Sequence, residues 1–140
     1  MVQRPQEYKE GGVYQGGSAS FGNQMDIPVW GNVTAIDPVT GKIVWKTKTE
    51  RPMFSGVITT AGGLVFGGQS AASFDAWDAV TGKHLWSYAT ETGVNAAPAT
   101  YQLKGRQYVV VAAGGSRYVR RSRDDAPQAD AIIAFALPKK

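Results

Sequence analysis

An eleven-residue phrase occurs twice in this chain, as Ala35-Ile-Asp-Pro-Val-Thr-Gly-Lys-Ile-Val-Trp45 and Ala76-Trp-Asp-Ala-Val-Thr-Gly-Lys-His-Leu-Trp86. Ala, Asp, Val, Thr, Gly, Lys and Trp stand at identical offsets, and the copies begin 41 residues apart. A period of about 40–45 residues is that of a four-stranded propeller blade. One such unit cannot bury its own apolar face, so the repeat demands neighbours. A closed ring holds about 4–8 blades, whereas 140 residues hold about three. The chain therefore reads as an arc of a larger ring.

Composition agrees with a packed β protein and removes several chemistries. Apolar residues make up 43% and charged residues 19%, too apolar for a disordered chain. Seventeen glycines and seven prolines suit many short strands joined by tight turns. With no cysteine and a single histidine, His84, disulfides, thiolate sites and His-rich metal sites are excluded. No apolar run approaches the roughly 18 residues of a membrane span. The first residues, Met-Val-Gln-Arg-Pro-Gln-Glu, lack the apolar stretch of a secretory signal. The net charge of +4 is concentrated in Arg117-Tyr-Val-Arg-Arg-Ser-Arg123. That segment reads as a solvated surface loop, and nothing else in the chain matches a nucleic-acid module.

Turn chemistry divides the chain. Residues 1–29, with Gly11-Gly12 and Gly16-Gly17, read as an irregular approach, and residues 30–138 as late and terminal blades. Strands are predicted at Asn32–Ile36 and Lys42–Lys46 for a partial unit. A whole unit follows at Gly56–Thr60, Leu64–Phe66, Ser73–Trp77 and Lys83–Tyr88. A third unit comprises Ala96–Tyr101, Gln107–Ala113 and Ile132–Leu137, with an Arg-rich insertion over 114–130 and no outer strand. The expected fold is all-β: about two and a half four-stranded antiparallel blades, without a helix of any length.

Each residue of the repeated phrase has a scaffold role. Asp37 and Asp78 accept main-chain N–H bonds inside the turn, and Thr40 and Thr81 add further bonds. Gly41 and Gly82 permit the reversal. Trp45 and Trp86 bury flat surface between sheets and need an acceptor for the indole N–H. Recurrence at fixed spacing argues against Asp37 and Asp78 as a catalytic pair. His84 occupies the place of Ile43 and reads as a surface or packing residue. Gly67-Gly68 precedes no helix, so it is a weak phosphate loop.

At these residues the chain resembles the pyrroloquinoline-quinone (PQQ) dependent dehydrogenases, eight-bladed propellers whose blades carry phrases of the form A-x-D-x-x-T-G-K-x-x-W. Thr59-Thr-Ala-Gly-Gly-Leu-Val-Phe66 is similar to that family's T-A-G-G-L-V-F strand pair. Pro98-Ala-Thr-Tyr through Gln107-Tyr-Val to Ala113-Gly-Gly115 resembles its C-terminal segment, and Ala134-Phe-Ala-Leu-Pro138 its closing strand. The resemblance implies the C-terminal blades of an oxidoreductase of the alcohol or glucose dehydrogenase type, passing hydride from an alcohol, polyol or sugar to PQQ beside a Ca²⁺ or lanthanide ion. It places the metal ligands and catalytic base on earlier blades, so no catalytic or metal residue is assigned here.

What the resemblance carries over is a late-blade contribution to cofactor binding: Phe54 and Ser55, where many members have Trp-x-Gly, and Gly114, Gly115 and Ser116 at the end of a strand. Phe54 in place of Trp, and Ser116 where sugar-oxidising members have His, are departures. The implied partners are the remaining blades, a small alcohol or sugar, and an electron acceptor such as cytochrome c or ubiquinone, in the periplasm. The alternative is a non-enzymatic PQQ-repeat scaffold resembling outer-membrane assembly lipoproteins, since fold does not fix function. An isolated chain of this kind is expected to be inactive.

Overall fold

The structure is a computed structural model describing residues 2–5, 7–12, 17–20, 30–70, 72–115 and 129–137. Among them every regular element is a strand, and every ladder is antiparallel. Within 1–29, β1 (Val2–Pro5) pairs with β2 (Gly17–Ser20). That ladder was not legible from the glycine pairs, because a two-stranded ladder needs main-chain groups rather than an apolar pattern.

Three further sheets follow, each matching one repeat unit. The first is β3 (Gly31–Ile36) with β4 (Ile43–Thr49). The second is four-stranded and meanders in sequence order through β5 (Val57–Thr59), β6 (Leu64–Gln69), β7 (Ser73–Asp78) and β8 (His84–Ala89). The third contains β9 (Ala99–Leu103), β10 (Arg106–Ala113) and β11 (Ala131–Phe135), three strands among the described residues against four in the second. The predicted partial, whole and strand-lacking units are all present. Most strand ends shift by one to three residues from their predicted places, and two of the shifts have clear local reasons. β6 runs through Gly67-Gly68, and β9 begins after Pro98 instead of at Ala96, since proline has no N–H for the ladder.

The two phrases fold alike. Asp37 Oδ1 accepts Val39 N–H at 2.8 Å and Thr40 N–H at 3.4 Å, while Thr40 Oγ1 donates to Asp37 Oδ2 at 2.7 Å. Asp78 Oδ1 accepts Val80 N–H, Thr81 N–H and the Thr81 hydroxyl at 3.0, 2.7 and 2.8 Å. These bonds favour the ionised form, and both carboxyls sit below their ordinary range. The threonine hydroxyl is the leading cause in each. A register shift follows the repeated alanine in both units, between Ala35 and Ile36 and between Ala76 and Trp77. Such a bulge strengthens local twist and re-aims the returning strand.

Two apolar clusters form the core, and each is built by more than one sheet. Val33, Val65 and Trp77 are buried with Trp45, Met53 and Ala79 packed against them. Phe74, Val94, Val109, Val111 and Ala113 form the other, flanked by Phe66, Ile133 and Phe135. Burying one such large side chain contributes about 1.5–3 kcal/mol, and both clusters lie where neighbouring units meet. Gly68 shows why β6 tolerates glycine: a Cβ there would lie 2.3 Å from Val94 Cγ1. It is a close-approach residue in a strand and not part of a phosphate loop.

At the first joint Trp45 docks on the next unit. Its indole N–H donates to Ala79 O at 3.0 Å, and Thr47 Oγ1 donates to Gly82 O at 2.6 Å. A Cβ on Gly82 would stand 2.5 Å from the Trp45 ring, and Gly82 has φ +70°. Gly41 occupies the same turn position with φ +68°, yet a Cβ there meets nothing within 4 Å. At the second joint Trp86 meets Phe135 edge-on at 5.3 Å and stays 39% exposed.

This contrast separates backbone strain from docking. Gly41→Ala is expected to cost only the left-handed penalty, about 1–2 kcal/mol. Gly82→Ala adds displacement of the Trp45 ring and should cost a further 1–3 kcal/mol or so. Urea unfolding of the two variants, followed by tryptophan fluorescence, measures the difference.

Candidate functional site

The expected cofactor-binding residues lie where one unit passes into the next. Ser70 N–H donates to Pro52 O at 3.3 Å, Val94 N–H to Gln69 O at 3.1 Å, and Gly115 N–H to Gly93 O at 3.0 Å. These main-chain bonds join the approach to β5, the end of β6, the β8–β9 crossover and the end of β10 into one rim. Phe54 lies on the approach to β5 with 62% of its surface exposed. Ser55 Oγ accepts Gly68 N–H and donates to Gly56 O, both at 2.7 Å, so its hydroxyl holds the rim together. Gly56 is close to the β8–β9 crossover, since a Cβ on it would lie 2.8 Å from Ala97 Cβ. Phe54, Ser55, Gly114 and Gly115 thus share the rim, whereas Ser116 lies outside the described residues.

Sequence reasoning missed Asn95. It follows Trp86 by nine residues, as Phe54 follows Trp45, so the two are counterparts in adjacent units. Both polar atoms of its amide are buried without a hydrogen-bond partner. An unpaired buried amide costs about 1–3 kcal/mol, which makes it unusual in a scaffold position. Counting forward from the repeated tryptophan would have found it.

Asp75 is the other missed residue. On β7, Ser73, Asp75 and Trp77 alternate to one face, and Asp75 is 2% exposed. Its Oδ2 accepts Gln69 Nε2–H and the Ser73 hydroxyl, both at 2.7 Å. Its Oδ1 lies 2.9 Å from His84 Nε2, and the His84 side chain remains 47% exposed. His84 also meets Trp77 edge-on at 5.8 Å. The histidine read as a surface or packing residue is therefore anchored to a buried carboxylate. A cavity of about 340 Å³ opens beside the pair, walled by Thr47–Glu50 of β4 and its flank and by Gln69, Ser73, Trp77 and Ser87.

Burial alone would raise the Asp75 carboxyl. Hydrogen bonds from Gln69, Ser73, His84 and Ser87 outweigh it and hold the group below its ordinary value of 3.8. A carboxyl lowered on folding contributes stability that is complete above the unfolded value and is lost as pH falls through the folded one. Stability should therefore fall as pH drops below about 5. In Asp75→Asn part of that slope should vanish, leaving the share due to Asp37 and Asp78. Urea midpoints measured from about pH 6 to pH 2 test this.

The comparisons with known proteins agree with the fold. Residues 3–109 match the family model described as the β-propeller domain of PQQ glucose/ethanol/alcohol dehydrogenases. Quinoprotein alcohol dehydrogenase PedE of Pseudomonas putida is 41% identical over 107 residues, which are 76% of this chain and 17% of that protein. The 1-butanol dehydrogenase (cytochrome c) of Thauera butanivorans is 46% identical over 115 residues, 79% of this chain and 16% of that protein. The crystal structure of quinohemoprotein alcohol dehydrogenase from Comamonas testosteroni superposes with TM-score 0.63 at 32% identity, over 79% of this chain and 18% of that one. The chain thus spans under a fifth of the length of these relatives.

Proposed function

The chain belongs to the PQQ-dependent glucose/ethanol/alcohol dehydrogenase β-propeller family, and from that premise we infer that it supplies terminal blades of an oxidoreductase. The reaction is oxidation of an alcohol, polyol or sugar, with PQQ supplying the quinone carbon that accepts hydride. Cytochrome c or ubiquinone then takes the electrons, in the periplasm, and the remaining blades complete the ring. The cytochrome c reading draws on the name of the Thauera relative.

The rim is the observation that carries this reading. PQQ is flat with polar edges; the rim offers an exposed ring at Phe54, and its crossover carries the Asn95 amide, whose polar atoms are buried and unpaired. Phe54 would lie against the cofactor and exclude water. Ser55 would keep the approach to β5 in place through Gly68 N–H, and Gly114 and Gly115 would bring the main chain close without bulk; Ser116 is proposed with them from the sequence alone. These residues fit one wall of a cofactor site. They do not fit the Ca²⁺ or lanthanide ion, because the described residues contain no cluster of three carboxylate or histidine groups.

Two outcomes follow. The isolated 140-residue chain, given PQQ with Ca²⁺ or a lanthanide, should show no metal-dependent dye reduction with alcohols or glucose. Turnover above background would overturn its reading as an incomplete ring. In the ring-complete enzyme, Phe54→Ala should weaken PQQ binding by up to about tenfold, the 0.5–1.5 kcal/mol or so of an aromatic contact. Equilibrium titration followed by PQQ absorbance reads this, and unchanged affinity removes Phe54 from the site.

A further inference from the structure

We propose that Asp75 is a positioning residue for the cofactor rim: through Gln69 it fixes the segment that carries Phe54. The proposal rests on the reading of Phe54 as part of the PQQ wall, and it adds to that wall a buried carboxylate from β7 as its support.

The main chain on either side of Gln69 clips the approach to β5. Gly68 N–H donates to Ser55 Oγ at 2.7 Å, and Ser70 N–H donates to Pro52 O at 3.3 Å. Pro52 and Ser55 bracket Met53 and Phe54 in the sequence. Met53 lies over the same stretch of β6, since a Cβ on Gly67 would come 2.7 Å from Met53 Cε. The exposed ring of Phe54 is therefore carried by a segment held at both ends to the neighbours of Gln69. The Gln69 carbonyl also accepts Val94 N–H at 3.1 Å, which ties the β8–β9 crossover to the same point.

The side chain of Gln69 is anchored to Asp75. Its Nε2 donates to Asp75 Oδ2 at 2.7 Å, and Ser73 Oγ donates to the same oxygen at 2.7 Å. Gln69 and Ser73 are opposite each other at the end of the β6–β7 ladder, so one carboxylate clamps both legs of that hairpin. His84 Nε2, 2.9 Å from Oδ1, keeps the carboxylate from turning. Hydrogen bonds to a charged acceptor are roughly twice as strong as neutral ones. Within the hairpin loop Ala72 has φ +58°, a left-handed conformation that a residue with a Cβ adopts only where its surroundings impose it. Its carbonyl accepts Thr90 N–H at 2.8 Å.

The repeat shows that the scaffold does not call for this carboxylate. At the offset of Asp75 the first unit has Thr34, yet both units form the same turn and the same bulge. A buried charge is costly beside a neutral residue that serves the same fold. Its return lies at the rim. With Gln69 held, the links from Gly68, Gln69 and Ser70 to the Phe54 segment and the crossover are set before a ligand arrives. Preorganisation of this kind adds affinity without a new contact to the ligand.

A double-mutant cycle on PQQ affinity in the ring-complete enzyme, read by absorbance titration, tests this. Asp75→Asn should weaken PQQ binding several-fold and by no more than about tenfold, the ceiling set by loss of the Phe54 ring itself. In the Phe54→Ala background Asp75→Asn should have no further effect, because the group it positions is gone. Gln69→Met removes the donor, leaves Asp75 its other partners, and should reproduce the result where Asp75→Asn does not fold. Gly82→Ala softens the joint without touching the hairpin and should leave affinity unchanged. Equal weakening by Gly82→Ala, or additive losses in the double variant, overturns the proposal. Unchanged affinity in a folded Asp75 or Gln69 variant overturns it too, while weakening by Phe54→Ala still keeps the ring in the wall. Unchanged affinity in Phe54→Ala removes the wall and the proposal together.

Discussion

The structure depends on one joint, the docking of Trp45 onto the turn that ends the next unit's phrase. No unit here has a private core. The buried clusters around Trp77 and around Phe74 each draw on more than one sheet. The indole of Trp45 spans the gap with a packed face and one directed bond to Ala79 O. Gly82 is glycine twice over, for its left-handed backbone and for the ring above it. The phrase thus joins units as well as turning the chain. A fold held this way is nearly one-dimensional, with stability added joint by joint.

Much of this was legible in the sequence because repetition supplies its own control. Asp37 and Asp78, with their threonines, bond as a turn requires, and Trp45 finds the acceptor its N–H needs. The residues shared by the copies are scaffold. The less legible residues are those by which the copies differ. Asp75 and His84 are nine positions apart in sequence, and only the bulge after Ala76 brings their side chains to 2.9 Å. Asn95 was hidden in a crossover whose polar state depends on what folds over it. Strand ends were misread where glycine serves close packing, as at Gly68, and not termination.

The two sites pose opposite electrostatic problems. At the rim, polar capacity is left unmet: Asn95 in the crossover keeps a donor and an acceptor unpaired, and Phe54 on the approach to β5 stays exposed. At Asp75 the carboxylate is met on both oxygens, and its ionised form is held by groups from three strands. The first arrangement suits a ligand with polar edges. The second fixes a negative charge inside a joint, where only a cation or a partner dipole offsets the desolvation.

The rim has a consequence for how such a protein can change. Its three linking bonds run from main chain to main chain, Pro52 to Ser70, Gln69 to Val94 and Gly93 to Gly115. Of the side chains on it, Ser55 adds to these links through Gly68 N–H and Gly56 O, whereas Phe54 and Asn95 make none of them. Phe54 and Asn95 stand at the same offset in adjacent units, one a large hydrocarbon and the other a short amide, and the backbone around each follows the same route. The identity of a projecting residue such as Phe54 or Asn95 can therefore change while the main-chain links of the rim stay as they are.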